Sequence, residues 1–214
     1  MLHWLAAARG RLVPPATRDG AVLVDIGCGG GLLAPHVAGK GYRHVGVDLS
    51  PSGLRHARAH GVHPVRGDVL AVPLRDGCAD VVAAGEILEH VVDLRLAVAE
   101  ACRLLRPGGL LVIDTLAATA VCRFVSITLA ERLAMAPRGI HDPALLVDRA
   151  ALRAECARHG VRLALRGIRP SLRDLLAWLA GRAGTVGMVP VPTTALLFQA
   201  HGRKELLGAA GKGG

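Results

Sequence analysis

The run Val22-Leu23-Val24-Asp25-Ile26-Gly27-Cys28-Gly29-Gly30-Gly31 constrains this chain more than any other stretch. An apolar strand runs into an acid and then into a glycine-rich turn, whose backbone can approach a ligand closely. A second apolar run ends at Asp48, about 20 residues after the turn, where a carboxylate can accept hydrogen bonds from ribose hydroxyls. The acid ahead of the first glycine discriminates between nucleotides. A dinucleotide pyrophosphate wants a helix N-terminus free of nearby negative charge. The Asp25 carboxylate suits instead a ligand with a sulfonium and an ammonium group. The pattern Asp25-x-Gly27-x-Gly29-x-Gly31 therefore points to S-adenosylmethionine rather than NAD.

Strand and helix patterns alternate along the chain. Strands are expected at 21–27, 44–49, 63–67, 79–84, 109–115, 161–167 and 194–200, and helices at 31–39, 51–60, 93–105 and 148–158. Pro107-Gly108-Gly109 is expected to end the helix at 93–105 and turn the chain into the next strand. Such alternation predicts an α/β fold, a mostly parallel seven-stranded sheet with helices on both faces. Asp25, Asp48, Asp68 and Glu86 then fall at or just past the carboxyl ends of successive strands, the edge where ligands bind in open α/β sheets. Residues 1–207 read as one domain, 208–214 as a Gly/Ala-rich flexible tail, and about 116–147 as a helical insertion over the ligand edge.

Composition narrows the function classes. Hydrophobic residues make up 51% of the 214, enough for a sizeable core. Aromatics are 2%, too few for a stacking platform for single-stranded nucleic acid. The net charge of +9 comes from scattered arginines, with Lys40, Lys204 and Lys212 the only lysines, and reads as solvated faces rather than a nucleic-acid surface. Cys28, Cys78, Cys102, Cys122 and Cys156 form no C-x-x-C pair, as expected of reduced thiols in a cytoplasmic protein. No signal peptide or transmembrane span is expected.

Further motifs carry a resemblance. They are Glu86-Ile87-Leu88-Glu89-His90-Val91 after the fourth strand, Arg106-Pro107-Gly108-Gly109 before the fifth, and Asp114-Thr115-Leu116. An apolar insertion follows, then Pro137-x-Gly139-x-His141-Asp142. With the glycine turn, these residues resemble the class I S-adenosylmethionine-dependent methyltransferases, a Rossmann-like fold, and more narrowly the ubiquinone-biosynthesis 3-O-methyltransferase family. The resemblance covers about Val22 to Arg203, while the family's N-terminal helix reads as almost absent. It implies O-methylation of a phenol or catechol hydroxyl on a small aromatic, prenylated in a ubiquinone precursor. The alternative is N- or C-methylation of another small molecule. It also implies a divalent-cation site at Glu86, Glu89 and His90, for Mg²⁺ or Zn²⁺. The structural alternative is that Glu89 caps the following helix and His90 packs.

The candidate cofactor residues are Asp25 for the methionine ammonium, Gly27 and Gly29 under the cofactor, Asp48 for the ribose, Asp68 for the adenine amino group, and Gly85 through its backbone. Leu49 and Val69 are expected beside them. His90 and His141 are the candidate general bases, since an imidazole titrates near neutrality. Residues 116–136 are expected to form a lid, or else a peripheral membrane contact.

Overall fold

In the computed structural model, residues 1–124 and 142–206 are described. The chain opens with helix α1 (Leu2–Leu12), followed by β1 (Val22–Ile26), α2 (Ala34–Val37), β2 (Arg43–Asp48), α3 (Pro51–Ala59) and β3 (His63–Arg66). Then come β4 (Ala79–Gly85), a 3₁₀ turn (Leu88–His90), α4 (Leu94–Leu104), β5 (Leu105–Leu116) and α5 (Ala120–Arg123). The last part holds α6 (Arg149–Arg158), β6 (Ala164–Pro170), α7 (Leu172–Leu179), β7 (Met188–Val191) and β8 (Leu197–Arg203).

The strands form one sheet in the order β3-β2-β1-β4-β5-β8-β6-β7. The first five are mutually parallel; β8 runs antiparallel to β5 and to β6, and β7 antiparallel to β6. The architecture is the expected Rossmann-like one, with eight strands instead of seven. The strand order reverses between β1 and β4, which places a crevice at their carboxyl ends.

Both sheet faces are covered. Val24, Ile26, Val47, Val82 and Ile113 pack with α4 and α6 on one side. Leu23, Val81, Ala83 and Val112 pack with Leu33, Val37 and Val13 on the other. Helix starts follow side-chain capping: Ser50 accepts from the Gly53 amide ahead of Pro51, Asp93 from Leu96, and Asp148 from Ala150 and Ala151. Asp93, and not Glu89, thus caps α4.

Five expectations are corrected. The N-terminal helix is present, with Leu5, Ala6, Ala8, Arg9 and Gly10 buried. Gly10 is where α1 crosses α2, since a Cβ there would lie 2.5 Å from that of His36. Lys40 Nζ donates to the carbonyls of Gly10 and Val13, both at 2.6 Å, closing the helix end. The eighth strand, β7, contains Pro190, which is tolerated because β7 is a sheet edge. The expected strands at 161–167 and 194–200 each sit about three residues later, and α2 is only four residues long. Finally, β5 begins at Leu105, directly after α4, and carries Pro107-Gly108-Gly109 as an irregularity in its pairing with β4.

Candidate functional site

The glycine turn is fastened to β2. The amides of Gly27 and Cys28 donate to the Val47 carbonyl at 2.8 and 3.1 Å. Asp48, ending β2, accepts from the Gly29 amide through one carboxylate oxygen and from the Ser50 amide through the other, both at 2.8 Å. Gly27 needs to be glycine twice over: its φ is +69°, and a Cβ would lie 2.5 Å from the Ile87 side chain. Leu49 stands 60% exposed beside the turn. Asp68 is exposed after β3, its carboxylate accepting from the Leu70 amide at 2.9 Å, and Val69 next to it is buried.

The deepest part of the crevice is acidic. Asp25 is the next-to-last residue of β1, Glu86 follows β4, Glu89 lies on the 3₁₀ turn and Asp114 lies on β5. Asp25, Glu89 and Asp114 are buried. Among the described residues, Arg9, brought by α1, reaches them; it is itself buried and pairs with Asp114. Its guanidinium lies over Gly85, where a Cβ would fall 1.2 Å from Nη1. Burial would lower the Arg9 pKa, but Asp114, Asp25 and Glu86 outweigh it and raise it.

The acids exceed their partner. Burial, then repulsion from Glu89 and Asp114, holds Glu86 well above the usual carboxylate range. Glu89 is pushed up to about 7 by burial, although Thr115 Oγ1 donates to its Oε2 at 2.6 Å. Asp114 is raised by burial against the pull of Arg9. Glu86 takes φ +52°, a left-handed conformation rare for a side chain of its size and typical of functional turns. Glu86 Oε1, Glu89 Oε1, Asp114 Oδ2, Arg9 Nε and Gln199 Nε2 are buried with no hydrogen-bond partner among the described residues. Such a pocket fits a ligand that is cationic near the acids and has its own polar groups.

The structure gathers Asp25, Gly27, Gly29, Asp48 and Gly85 around one crevice, with Leu49, Asp68 and Val69 at the ends of β2 and β3 beyond it. It does not assemble the expected metal site. Among the described residues no group of three or more His, Cys, Asp or Glu side chains could hold a metal ion. The reason is local: the 3₁₀ turn buries Glu89 under Thr115 while His90 is exposed. His141 lies outside the described residues. Of the expected insertion, Leu116 and Cys122 are buried in the core with Leu5, Ala8 and Met188. Residues 125–141 lie outside the described part. No helix among the described residues is long and apolar enough to cross a membrane.

Arg9, Asp114, Thr115 and Gln199 were not legible as site residues. Arg9 is one arginine among many in the sequence, and only the docking of α1 separates it from the others. Asp114 lies near the end of β5 and is marked in the sequence only as part of the Asp114-Thr115-Leu116 motif, which gives it no role of its own.

Comparison with known proteins agrees with this geometry. The family described as "Methyltransferase domain" matches residues 24–113. A ubiquinone biosynthesis O-methyltransferase of Thiobacillus denitrificans is 38% identical over 160 residues, covering 71% of this chain and 69% of that protein. The chain belongs to this methyltransferase family. A namesake from Methylobacterium nodulans is 39% identical over 135 residues, but the match spans 54% of its length. Among solved structures, an S-adenosylmethionine-dependent methyltransferase from Thermotoga maritima has a TM-score of 0.69 at 17% identity, covering 95% of this chain and 89% of its own. One from Mesorhizobium loti has a TM-score of 0.63 at 19% identity, covering 92% and 96%. These two likenesses establish the fold.

Proposed function

We propose that the chain transfers a methyl group from S-adenosylmethionine to a phenol or catechol hydroxyl of a small aromatic, the acceptor class suggested by the relatives' names. The observation that carries the cofactor assignment is the surplus of buried carboxylates over cations where β1, β4 and β5 end. In this reading Asp25 receives the methionine ammonium, Arg9 supplies the cation for the methionine carboxylate, and Gly85 leaves room for both. Asp48 takes the ribose hydroxyls. Leu49 and Val69 flank the adenine, and Asp68 accepts from its amino group.

Bound there, S-adenosylmethionine supplies an electrophilic methyl carbon on sulfur. The phenolate oxygen forms the new O–C bond as the C–S bond breaks, so the chain's task is alignment and removal of one proton. His90, on the turn above the crevice, is the proposed base, with His141 the other histidine candidate. Glu86 and Glu89, both of raised proton affinity, lie in the same segment after β4. No step is assigned to a divalent cation. For peripheral membrane contact through 116–136, the described start of that segment is mixed: Leu116 and Cys122 are core residues, while Val121 and Phe124 are exposed.

His90→Ala tests the base directly. Turnover on a catechol should fall at least about a hundred-fold, the usual scale of general-base catalysis. Calorimetric affinity for S-adenosylhomocysteine should stay within about two-fold. Unchanged turnover would remove His90 from the chemistry.

A further inference from the structure

The cofactor assignment leaves the buried side chain of His44 unexplained. His44 lies on β2 and is 7% exposed. Its β1 partner in register is Leu23, and Gly46, two residues on along the same face, is the partner of Asp25. His44 Nε2 lies 3.6 Å from Asp25 Oδ2, too long for a hydrogen bond, and is buried with no hydrogen-bond partner among the described residues. A buried ring nitrogen without a partner is costly, and its carboxylate neighbour is the residue that the function needs. Arg9 makes its hydrogen bond to Asp114.

We propose that His44 is a positioning residue, holding the Asp25 carboxylate through Nε2–H so that its other oxygen faces the cofactor's ammonium group. This rests on the reading that Asp25 receives that ammonium. The choice of imidazole follows from electrostatics. A Lys or Arg beneath Asp25 would neutralise it and compete with the ligand's cation, whereas an imidazole N–H fixes the carboxylate through a single directed bond. A small rotation of Asp25 on ligand binding closes the 3.6 Å gap to hydrogen-bond length.

The test compares two ligands by calorimetry on the full chain: S-adenosylhomocysteine, which carries the amino acid moiety, and 5′-methylthioadenosine, which lacks it. His44→Leu should weaken S-adenosylhomocysteine about ten-fold, the loss of one hydrogen bond to a charged group, and 5′-methylthioadenosine less than about two-fold. His44→Gln, which restores an N–H donor, should recover most of the loss. If His44→Leu does not fold, His44→Asn, with its shorter reach, is read by the same criterion. Equal losses for both ligands, or no loss for either, would overturn the role of His44. A wild-type chain that binds both ligands equally, with Asp25→Asn changing neither, would instead overturn the Asp25 assignment.

Discussion

Gly85 and Glu89 show how single residues set the site. An Ala at position 85 would place its Cβ 1.2 Å from Arg9 Nη1, so the guanidinium must leave Asp114. Asp114, fully buried, would then lack its cation, and breaking a buried pair costs about 3–5 kcal/mol. Gly85→Ala should therefore lower the urea midpoint sharply and abolish cofactor binding; a stable, binding-competent variant would show that Arg9 does not occupy this place. Glu89 gives a pH signature. It loses its proton at about 7 in the folded chain against 4.5 ordinarily, so between those values the unfolded chain has released a proton that the folded chain retains. Stability should fall as pH rises through that window, by up to about 3 kcal/mol for this group. Glu89→Gln keeps an acceptor for Thr115 and should flatten the dependence, read from urea midpoints at pH 5 and pH 8. An unchanged slope would contradict the assignment.

At the scale of elements, the parallel half of the sheet was legible because its strands are continuous apolar runs ended by glycine and acid. Val81-Val82-Ala83-Ala84 can hardly be anything but a buried strand. Helix α1 was not legible, because its buried residues are nearly consecutive rather than helically spaced, and Gly10 interrupts them. The four-residue strand β7 was hidden by Pro190, which only its edge position explains. The metal expectation failed for a related reason. Glu86, Glu89 and His90 are close in sequence, yet a left-handed residue and a 3₁₀ turn send them different ways. Helix α1 also ties stability to the site. Leu5 is 1% exposed, so Leu5→Ala should destabilise the fold by about 2–5 kcal/mol. Because α1 carries Arg9, cofactor affinity should fall with it. Calorimetry on the folded variant would show normal affinity if Arg9 were held independently of the helix.

Across the whole molecule, the two edges of the sheet treat their acids differently. At the amino end of β4, Asp80 accepts from Arg18 at 2.6 and 2.8 Å, from Arg106 at 2.7 Å and from the Val22 amide at 2.8 Å. Burial alone would raise its pKa, but these partners hold it below the usual range. At the carboxyl end, Asp25, Glu86, Glu89 and Asp114 share Arg9. A chain with a net charge of +9 has cations to spare, yet leaves this one crevice acidic, as a site for a sulfonium and an ammonium requires. The most direct test is transfer of labelled methyl from S-adenosylmethionine to a panel of catechols, with wild type and Asp25→Asn, with and without chelator. Wild type should give O-methylated product, undiminished by chelator, and Asp25→Asn should lose at least about ten-fold at subsaturating cofactor. Wild-type transfer unaffected by Asp25→Asn, or none to any catechol while the cofactor binds, would contradict the proposed function.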